Sequence, residues 1–441
     1  MAQFADNLIN QITATRSISA VHSVFKTFIK EGHENVFTAM LSNGQDPVVY
    51  LSQDVANHTL GLLFLLSSRI HAHNTAPLPP WQVVSQFCAQ FSPEQARLVP
   101  ERVTKLAKGI QRYAQQSGNP ALAVTPLQHL IQRYPPDLSY LTTIHSIFLM
   151  TCVTTRNFTP ALPILAVPIT NIDLSLSPDL TYQDNLIYHY TGGIALAALK
   201  KWSEAEEYFE ICVTSPGNHP AALQFEALKK LRLVQIISKG EVGQLPKYTS
   251  SHLIRLFRNS VYAQFLKHYP QNQTALRELV AKEKAVFASE KNLGLINQAI
   301  ARAPRWVLKK LTATYVTLHL SDIAKRVGIE SEDEVRGMLL SMIESGELTA
   351  HISSSNTVTF TDPPPSFTKA EVDDVLRKAQ DQARLMSLLD AEVGRSKEFL
   401  NKVSKGHDNW GPSGPGGIGM GMDEDVYQPA SMGWADETMF S

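Results

Sequence analysis

Between Arg305 and Thr361 the hydrophobic period switches from 3.6 residues to 2, and few folds accommodate that switch in so short a span. Trp306 to Thr314 reads as a helix and Val316 to Leu318 as a short strand. Ser321 stands as the cap of a second helix, which carries Ile323, Ala324 and Val327 inward and stops at Gly328. Ser331 and Glu334 have capping-box spacing, in which each side chain satisfies an amide the helix leaves free. The helix they open places Val335, Met338, Leu339, Met342 and Ile343 on one face and ends at Gly346. Leu339 and Ile343 are therefore expected in the core. Two alternating runs follow, Leu348, Ala350 and Ile352, then Val358 and Phe360, with Ser353-Ser354-Ser355-Asn356 as the turn. Helices followed by a hairpin make a winged helix.

That architecture serves both DNA and protein binding, so charge has to separate them. A DNA reader lays its third helix in the major groove against phosphates, each of which calls for a Lys or Arg. Here the third helix begins Glu332-Asp333-Glu334, has only Arg336 in reply, and ends near Glu344 and Glu347. Phosphate repels such a face. The charges favour a module that binds protein.

The rest of the chain has a different pattern. Its 441 residues leave room for several domains, and the formal net charge of −1 offers no broad footprint for nucleic acid or an anionic membrane. Cys88, Cys152 and Cys212 are far apart and form no CxxC pair, which points to a reducing intracellular compartment. Met1 to Asp6 lacks the basic start and apolar core of a signal peptide. The most apolar run, Leu60 to Leu66, is too short for a membrane span and is followed by Arg69.

Up to about Tyr182 the period is helical. Leu8, Ile12, Ile18, Val21, Val24, Phe25 and Phe28 keep helical spacing, and Val55 to Ile70 reads as a strongly apolar helix. Thr75 to Pro80 reads as an exposed loop. Pro93, Pro120, Pro126 and Pro135-Pro136 punctuate further helices, because a proline costs about 3 kcal/mol inside one. Helices broken at short intervals suggest stacked hairpins.

An internal echo supports stacking. Phe158, Ala161 and Leu165 share the spacing of Trp202, Ala205 and Phe209. Gly193 precedes Ala205 and Phe209 as in a tetratricopeptide repeat, where a small residue lets two antiparallel helices touch and an aromatic fills the gap. Pro216-Gly217 closes the pair. A single hairpin cannot bury its apolar face, so neighbours must stack on it. Ala221 to Lys239 is a further amphipathic helix ended by Gly240, residues 240–250 are a connector, and helices resume at Leu253, near Leu276 to Phe287 and at Leu293 to Ile300.

After Pro363-Pro364-Pro365 comes one long helix, about Lys369 to Val403. Val372, Val375, Ala379, Met386, Leu389 and Val393 follow a heptad interrupted at Gln382. A lone helix with such a seam is marginal in water and needs a partner, either other helices or its own solenoid. Beyond Lys405 the chain turns Gly/Pro-rich and then acidic, with Tyr427, Trp434 and Phe440 spaced along it. That composition reads as a disordered tail, with a docking motif as the sharper alternative.

Chemistry is sparse. His71-Ala72-His73 has the spacing of two metal ligands but lacks a nearby acidic ligand and base, so solvated loop histidines are the expectation. There is no HExxH, no GxxxxGK[ST] and no GxSxG, and Gly416-Gly417-Ile418-Gly419 follows no strand. The three cysteines sit in apolar helical contexts, where thiols are inert. No catalytic, cofactor or metal residue is assigned.

A helical array leading into a winged helix resembles the PCI domains of the proteasome lid, the COP9 signalosome and the third eukaryotic translation initiation factor. Tyr188-His189-Tyr190-Thr191-Gly192-Gly193, Leu245-Pro246-Lys247-Tyr248-Thr249-Ser250 and Lys291-Asn292-Leu293-Gly294-Leu295 narrow the resemblance to the family of COP9 signalosome subunit 3. It runs from roughly Tyr188 to Phe360 and is weaker before that. The expected fold is mainly α: an N-terminal helical-repeat (TPR-like) solenoid, a winged-helix PCI subdomain and a long C-terminal helix. The expected divisions are repeats over 1–185, helical PCI part over 186–300, winged helix over 301–362, bundle helix over 363–404 and tail over 405–441.

The resemblance implies a non-catalytic scaffold subunit, without cofactor, in a complex that removes a ubiquitin-like modifier from the cullins of cullin-RING ligases. It implies subunits 1 and 8 as neighbours, no nucleic acid or membrane partner, and both cytoplasm and nucleus as location. The alternatives are a scaffold subunit of the 26S proteasome lid and, further off, a winged-helix nucleic-acid regulator. In that family winged-helix sheets pair side by side and C-terminal helices gather into a bundle. Two surfaces are therefore expected to carry partners: the wing edge at Val358, Thr359 and Phe360, and the helix face of Val372, Val375, Ala379, Met386 and Leu389.

Overall fold

The computed structural model describes residues 2–401 except 16, 31–33, 73–76, 218, 362–366 and 398. By its contacts the chain divides into two compact units, Met1–Thr361 and Asp362–Ser441. The first is a helical array ending in a small antiparallel sheet.

The array begins with Ala2–Ala14 and Ile18–Lys30, whose Leu8, Ile12, Val21 and Phe25 are buried. Ile18 is exposed instead, at the first position of its helix. The apolar helix runs Thr59–His71 and is buried at every residue from Thr59 to Ile70. Such all-round burial explains its continuous apolar run. Phe64 stacks on Phe25 with ring centroids 4.3 Å apart. Arg69, fully buried, is neutralised by Asp46 at 2.6 Å and also donates to the Ala39 carbonyl. Prolines open helices rather than break them: Pro93–Arg97 and Pro100–Gln116 each start on one, where no amide is needed. Pro79, expected in an exposed loop, is buried, and its carbonyl accepts from the Tyr113 hydroxyl. A two-residue parallel bridge, Tyr140–Leu141 with Asn171–Ile172, is the one strand pairing described before the winged helix, in a stretch whose period gave no sign of it.

Tyr182–Ala198 and Trp202–Thr214 form the repeat pair. A Cβ on Gly193 would lie 2.7–2.9 Å from carbons of the Phe209 ring, so only glycine lets the aromatic seat there. Gly192 is as crowded, by Tyr208 and by Leu165 of the echoing segment. Tyr208 also donates its hydroxyl to the Leu165 carbonyl. The echo is thus a physical neighbour, although its own second helix is only Leu162–Leu165.

Ala222–Ser238 is shared between two cores. Its Ala227, Leu231 and Val234 belong to the repeat core, while Leu233, Ile236 and Ile237 pack with Phe265, Leu276, Phe287 and Ile296. Leu293–Thr312 performs the same service one step on. Ile296 and Ala299 enter that second core, and Leu308 enters the winged-helix core. The local pattern predicts two helices here, ending near Ile300 and resuming at Trp306; the chain makes one continuous helix with Pro304 inside it. Burial on both sides of the proline outweighs its local cost of about 3 kcal/mol. Trp306 lies against Gly240, where a Cβ would fall 2.5–2.8 Å from its ring, which ties the connector to this helix. The expected divisions at 185/186 and 300/301 each fall within a helix.

The winged helix follows: strand Thr317–His319, helices Leu320–Val327 and Glu332–Glu344, and strands Ala350–Ile352 and Thr357–Phe360. Ser321 is not the cap expected of it; His319 holds that position and makes no side-chain cap bond. Gly328 ends the helix in the left-handed region. Ser331 does cap the next helix, its hydroxyl accepting from the Glu334 amide at 3.4 Å. Val335, Leu339 and Met342 are buried with Val358 and Phe360, whereas Met338 and Ile343 are half-buried against them.

The second unit, as described, is the helix Lys369–Arg395, opened by a capping box of Thr368 and Glu371. Ser396 leaves the helical conformation. The expected helix end at Val403, the segment Pro363-Pro364-Pro365 and the tail beyond Lys405 lie outside the described residues.

Candidate interaction surfaces

The sheet of the winged helix has the order Thr317–His319, Thr357–Phe360, Ala350–Ile352. The strand bearing Val358, Thr359 and Phe360 is therefore the middle one, paired on both sides. It is not the edge expected of it. Thr359 lies opposite both Thr317 and His351, and Val358 and Phe360 are core residues. Which of three strands sits centrally is set by long-range pairing, and alternation within one strand carries no trace of it.

The edges lie elsewhere. The Phe360 amide bonds to the Val316 carbonyl and the Leu320 amide to the Asn356 carbonyl, so residues 316, 318 and 320 face the central strand. In an antiparallel ladder the intervening groups point away, which turns the backbone of Thr317 and His319 outward. On the other side the Thr361 amide bonds to Thr349 and the Ser353 amide to Thr357. Ala350 and Ile352 consequently aim their N–H and C=O groups outward. Among the described residues each outer strand has a partner on one side only. Beside the first, Val316 is 73% exposed, a large apolar side chain at an open edge.

The third helix carries Glu332, Asp333 and Glu334 in its first turn, where the helix dipole favours them. Arg336 is spent within the fold: its guanidinium donates to the Asn356 side chain, which in turn donates to Glu332. Arg326 of the preceding helix stacks over Tyr315 at 4.5 Å and donates to its hydroxyl. Arg336 is thus tied into the fold, while Arg326, though stacked on Tyr315, stays exposed.

The helix Lys369–Arg395 buries none of its residues. Val372, Val375, Met386 and Leu389 are all exposed, as is the helix position of Ala379. Leu376, Leu385 and Leu388, which lie off the strict heptad, are exposed as well and widen the apolar face. A seam of two positions in seven suits a two-stranded coil; this broader band suits a helix surrounded by several others. Leu376 and Leu385 fall at the e and g places of that heptad and Leu388 at c, so the wider band is legible in the same periodicity.

No cluster of three or more His, Cys, Asp or Glu side chains could hold a metal among the described residues. His71 is half-buried with Nδ1 at 3.0 Å from the Ser67 carbonyl, and His73 lies outside the described residues. Cys88, Cys152 and Cys212 are buried, and burial pushes their thiols up, to about 12 for Cys152 and Cys212. Thiols held protonated this way are poor nucleophiles. No helix among the described residues is long and apolar enough to cross a membrane.

Comparison with known proteins agrees with this architecture. The family model "COP9 signalosome complex subunit 3, N-terminal helical repeats" matches residues 19–253, and the PCI domain model matches residues 266–362. The chain is 25% identical over 433 residues to COP9 signalosome complex subunit 3 of Drosophila melanogaster, covering 93% of this chain and 96% of the relative. It is 28% identical over 364 residues to the protein of the same name from Dictyostelium discoideum, covering 80% and 86%. With the repeat model spanning more than half of its length and the PCI domain adjoining it, the chain belongs to the COP9 signalosome subunit 3 family.

Proposed function

We propose that this chain is a non-catalytic scaffold subunit of a COP9 signalosome, the complex that removes a ubiquitin-like modifier from cullins. The observation that carries the reading is the unpartnered helix Lys369–Arg395, whose apolar band stands in solvent and needs other helices to cover it. The two outer strands of the winged-helix sheet supply the second joint, since unpaired backbone at an edge is a template for a neighbour's strand. Subunits 1 and 8 are the proposed neighbours, through these edges and the helix. Cullin-RING ligases are reached indirectly. In this reading the hydrolytic chemistry belongs to another subunit. The proposed location is both cytoplasm and nucleus. The proteasome-lid alternative shares only the architecture, whereas the subunit 3 repeat model matches this chain's own repeats. The acidic third helix, its one arginine bonded internally, counts against the nucleic-acid alternative.

The test is purification of the tagged full-length chain from native extract, with quantitative mass spectrometry of what accompanies it. A stoichiometric set of PCI subunits with a metalloprotease and cullins is the expected result. Proteasome base and core components in their place would assign the chain to the lid.

A further inference from the structure

Glycine inside a helix needs a reason, because it lowers the folding equilibrium constant roughly two- to fivefold relative to alanine. The other interior cases among the described residues have one. A Cβ on Gly61, Gly109, Gly192 or Gly193 would come within 3.3 Å of a side chain from a neighbouring element. Gly294 and Gly394 stand in the first and last turns of their helices. Gly337 fits neither class. It stands in the middle of Glu332–Glu344, and a Cβ there would meet nothing within 4 Å. Its backbone is helical, so no left-handed φ calls for glycine either.

The face around Gly337 is turned away from the winged-helix core, which Val335, Leu339 and Met342 fill from the opposite side. Asp333 precedes Gly337 by one helical turn, Leu340 follows by one and Glu344 by two. All four residues are exposed. Leu340, at 47%, is a large apolar side chain left in solvent beside bare backbone. Asp333 and Glu344 form no ion pair among the described residues. The arginines on and beside this helix are committed elsewhere, Arg302 and Arg305 to Glu347 and Arg336 to Asn356.

A notch of bare backbone, an apolar knob one turn on and an acid at either end fit one kind of partner. Packed helices keep their axes roughly 8–10 Å apart, depending on the side chains at the contact, and a glycine at the crossing point allows the lower end of that range. A helix laid across Gly337 covers Leu340 with its own apolar side chains and brings lysines to Asp333 and Glu344. A second copy of this chain would set carboxylate against carboxylate, and DNA would set phosphates there. A strand would take an open edge of the sheet instead.

We infer that this face of Glu332–Glu344 seats an amphipathic, lysine-bearing helix of a companion subunit, with Gly337 at the crossing point. The joint uses no residue of either sheet edge or of Lys369–Arg395. The inference rests on the scaffold reading for the existence of companions, and one arm of its test needs no companion, so the two can fail separately.

On the isolated full-length chain, Gly337→Ala should raise the urea midpoint, by the equivalent of a roughly two- to fivefold gain in the folding equilibrium constant. A lowered midpoint would mean that the fold itself needs the glycine, and overturns the inference. The other arm is purification of the tagged full-length chain from native extract. Gly337→Gln, a polar helix former, should lose at least half of one companion subunit relative to the natural chain. Glu344→Lys, which the helix dipole favours at that end, should do the same. Carbodiimide joins a carboxylate directly to an amine. In the natural complex it should couple Asp333 or Glu344 to a lysine in a helical segment of that companion, read by mass spectrometry, and the product should vanish in Gly337→Gln. Undiminished recovery of every companion by Gly337→Gln overturns the inference and leaves the scaffold reading in place. Coupling to a second copy of this chain overturns the choice of partner. Failure of the natural chain to recover any companion overturns the scaffold reading and this inference with it.

Discussion

At the residue scale, burial decides which of the patterned side chains matter. Leu339 is fully buried in the winged-helix core, and Leu339→Ala should cost about 2–5 kcal/mol through the cavity it leaves. Ile343, from the same sequence pattern, is only half-buried and should cost less when truncated. Urea midpoints of the two variants give that order. Gly193→Ala pushes a methyl into the Phe209 ring and should cost about 1–3 kcal/mol, read the same way. His145 is fully buried, and its Nδ1 accepts from the Thr142 amide, which leaves that nitrogen no room for a proton. Burial lowers its pKa to about 3, against an ordinary value of 6.5. The unfolded chain therefore binds a proton at His145 below pH 6.5 that the folded chain refuses. Its contribution to stability is complete above that pH and is lost progressively as pH falls toward 3. The urea midpoint should fall more steeply between pH 7 and pH 5 in the natural chain than in His145→Gln. Parallel slopes would remove the assignment. Nothing in the sequence around His145 distinguishes it from a solvated histidine, because its burial comes from packing with Tyr188 on another helix.

At the element scale, helices were legible and strand order was not. The winged-helix elements can be read from periodicity because each carries its own apolar face, and Gly328 marks its helix end by local backbone geometry alone. The single helix through Pro304 escapes that reading, since its continuity is enforced by two separate cores. The edge escapes it too: Val358 and Phe360 alternate like any half-buried strand, and their central position comes from pairing with Thr317–His319, some forty residues earlier. Val316→Lys changes an exposed side chain and should leave the urea midpoint within about 0.5 kcal/mol of the natural chain. If a partner strand adds there, the same variant should recover fewer companion subunits. Undiminished recovery would shift the joint to the Ala350–Ile352 edge, where Ala350→Pro removes an outward amide.

At the scale of the whole molecule, the described residues of Met1–Thr361 form three cores joined by two shared helices. Ala222–Ser238 links the repeats to the middle core, and Leu293–Thr312 links the middle core to the winged helix. A disturbance at one end has packed helices along which to be resisted, which suits a scaffold. Lys369–Arg395 is the opposite case, a helix with no buried residue, its apolar band exposed. Its heptad was plain in the sequence, and the breadth of the band, through Leu376, Leu385 and Leu388, extends that reading.

On the proposed function folding and assembly are separable, with assembly carried by that helix. The measurement is made on the tagged full-length double variant Met386→Glu and Leu389→Glu, purified from native extract beside the natural chain, with companion subunits quantified by mass spectrometry. Both positions are exposed, so helicity by circular dichroism and the urea midpoint should match the natural chain, while the companion subunits are lost. A folded variant that still recovers the full set of companions would rule out this helix as the carrier of assembly.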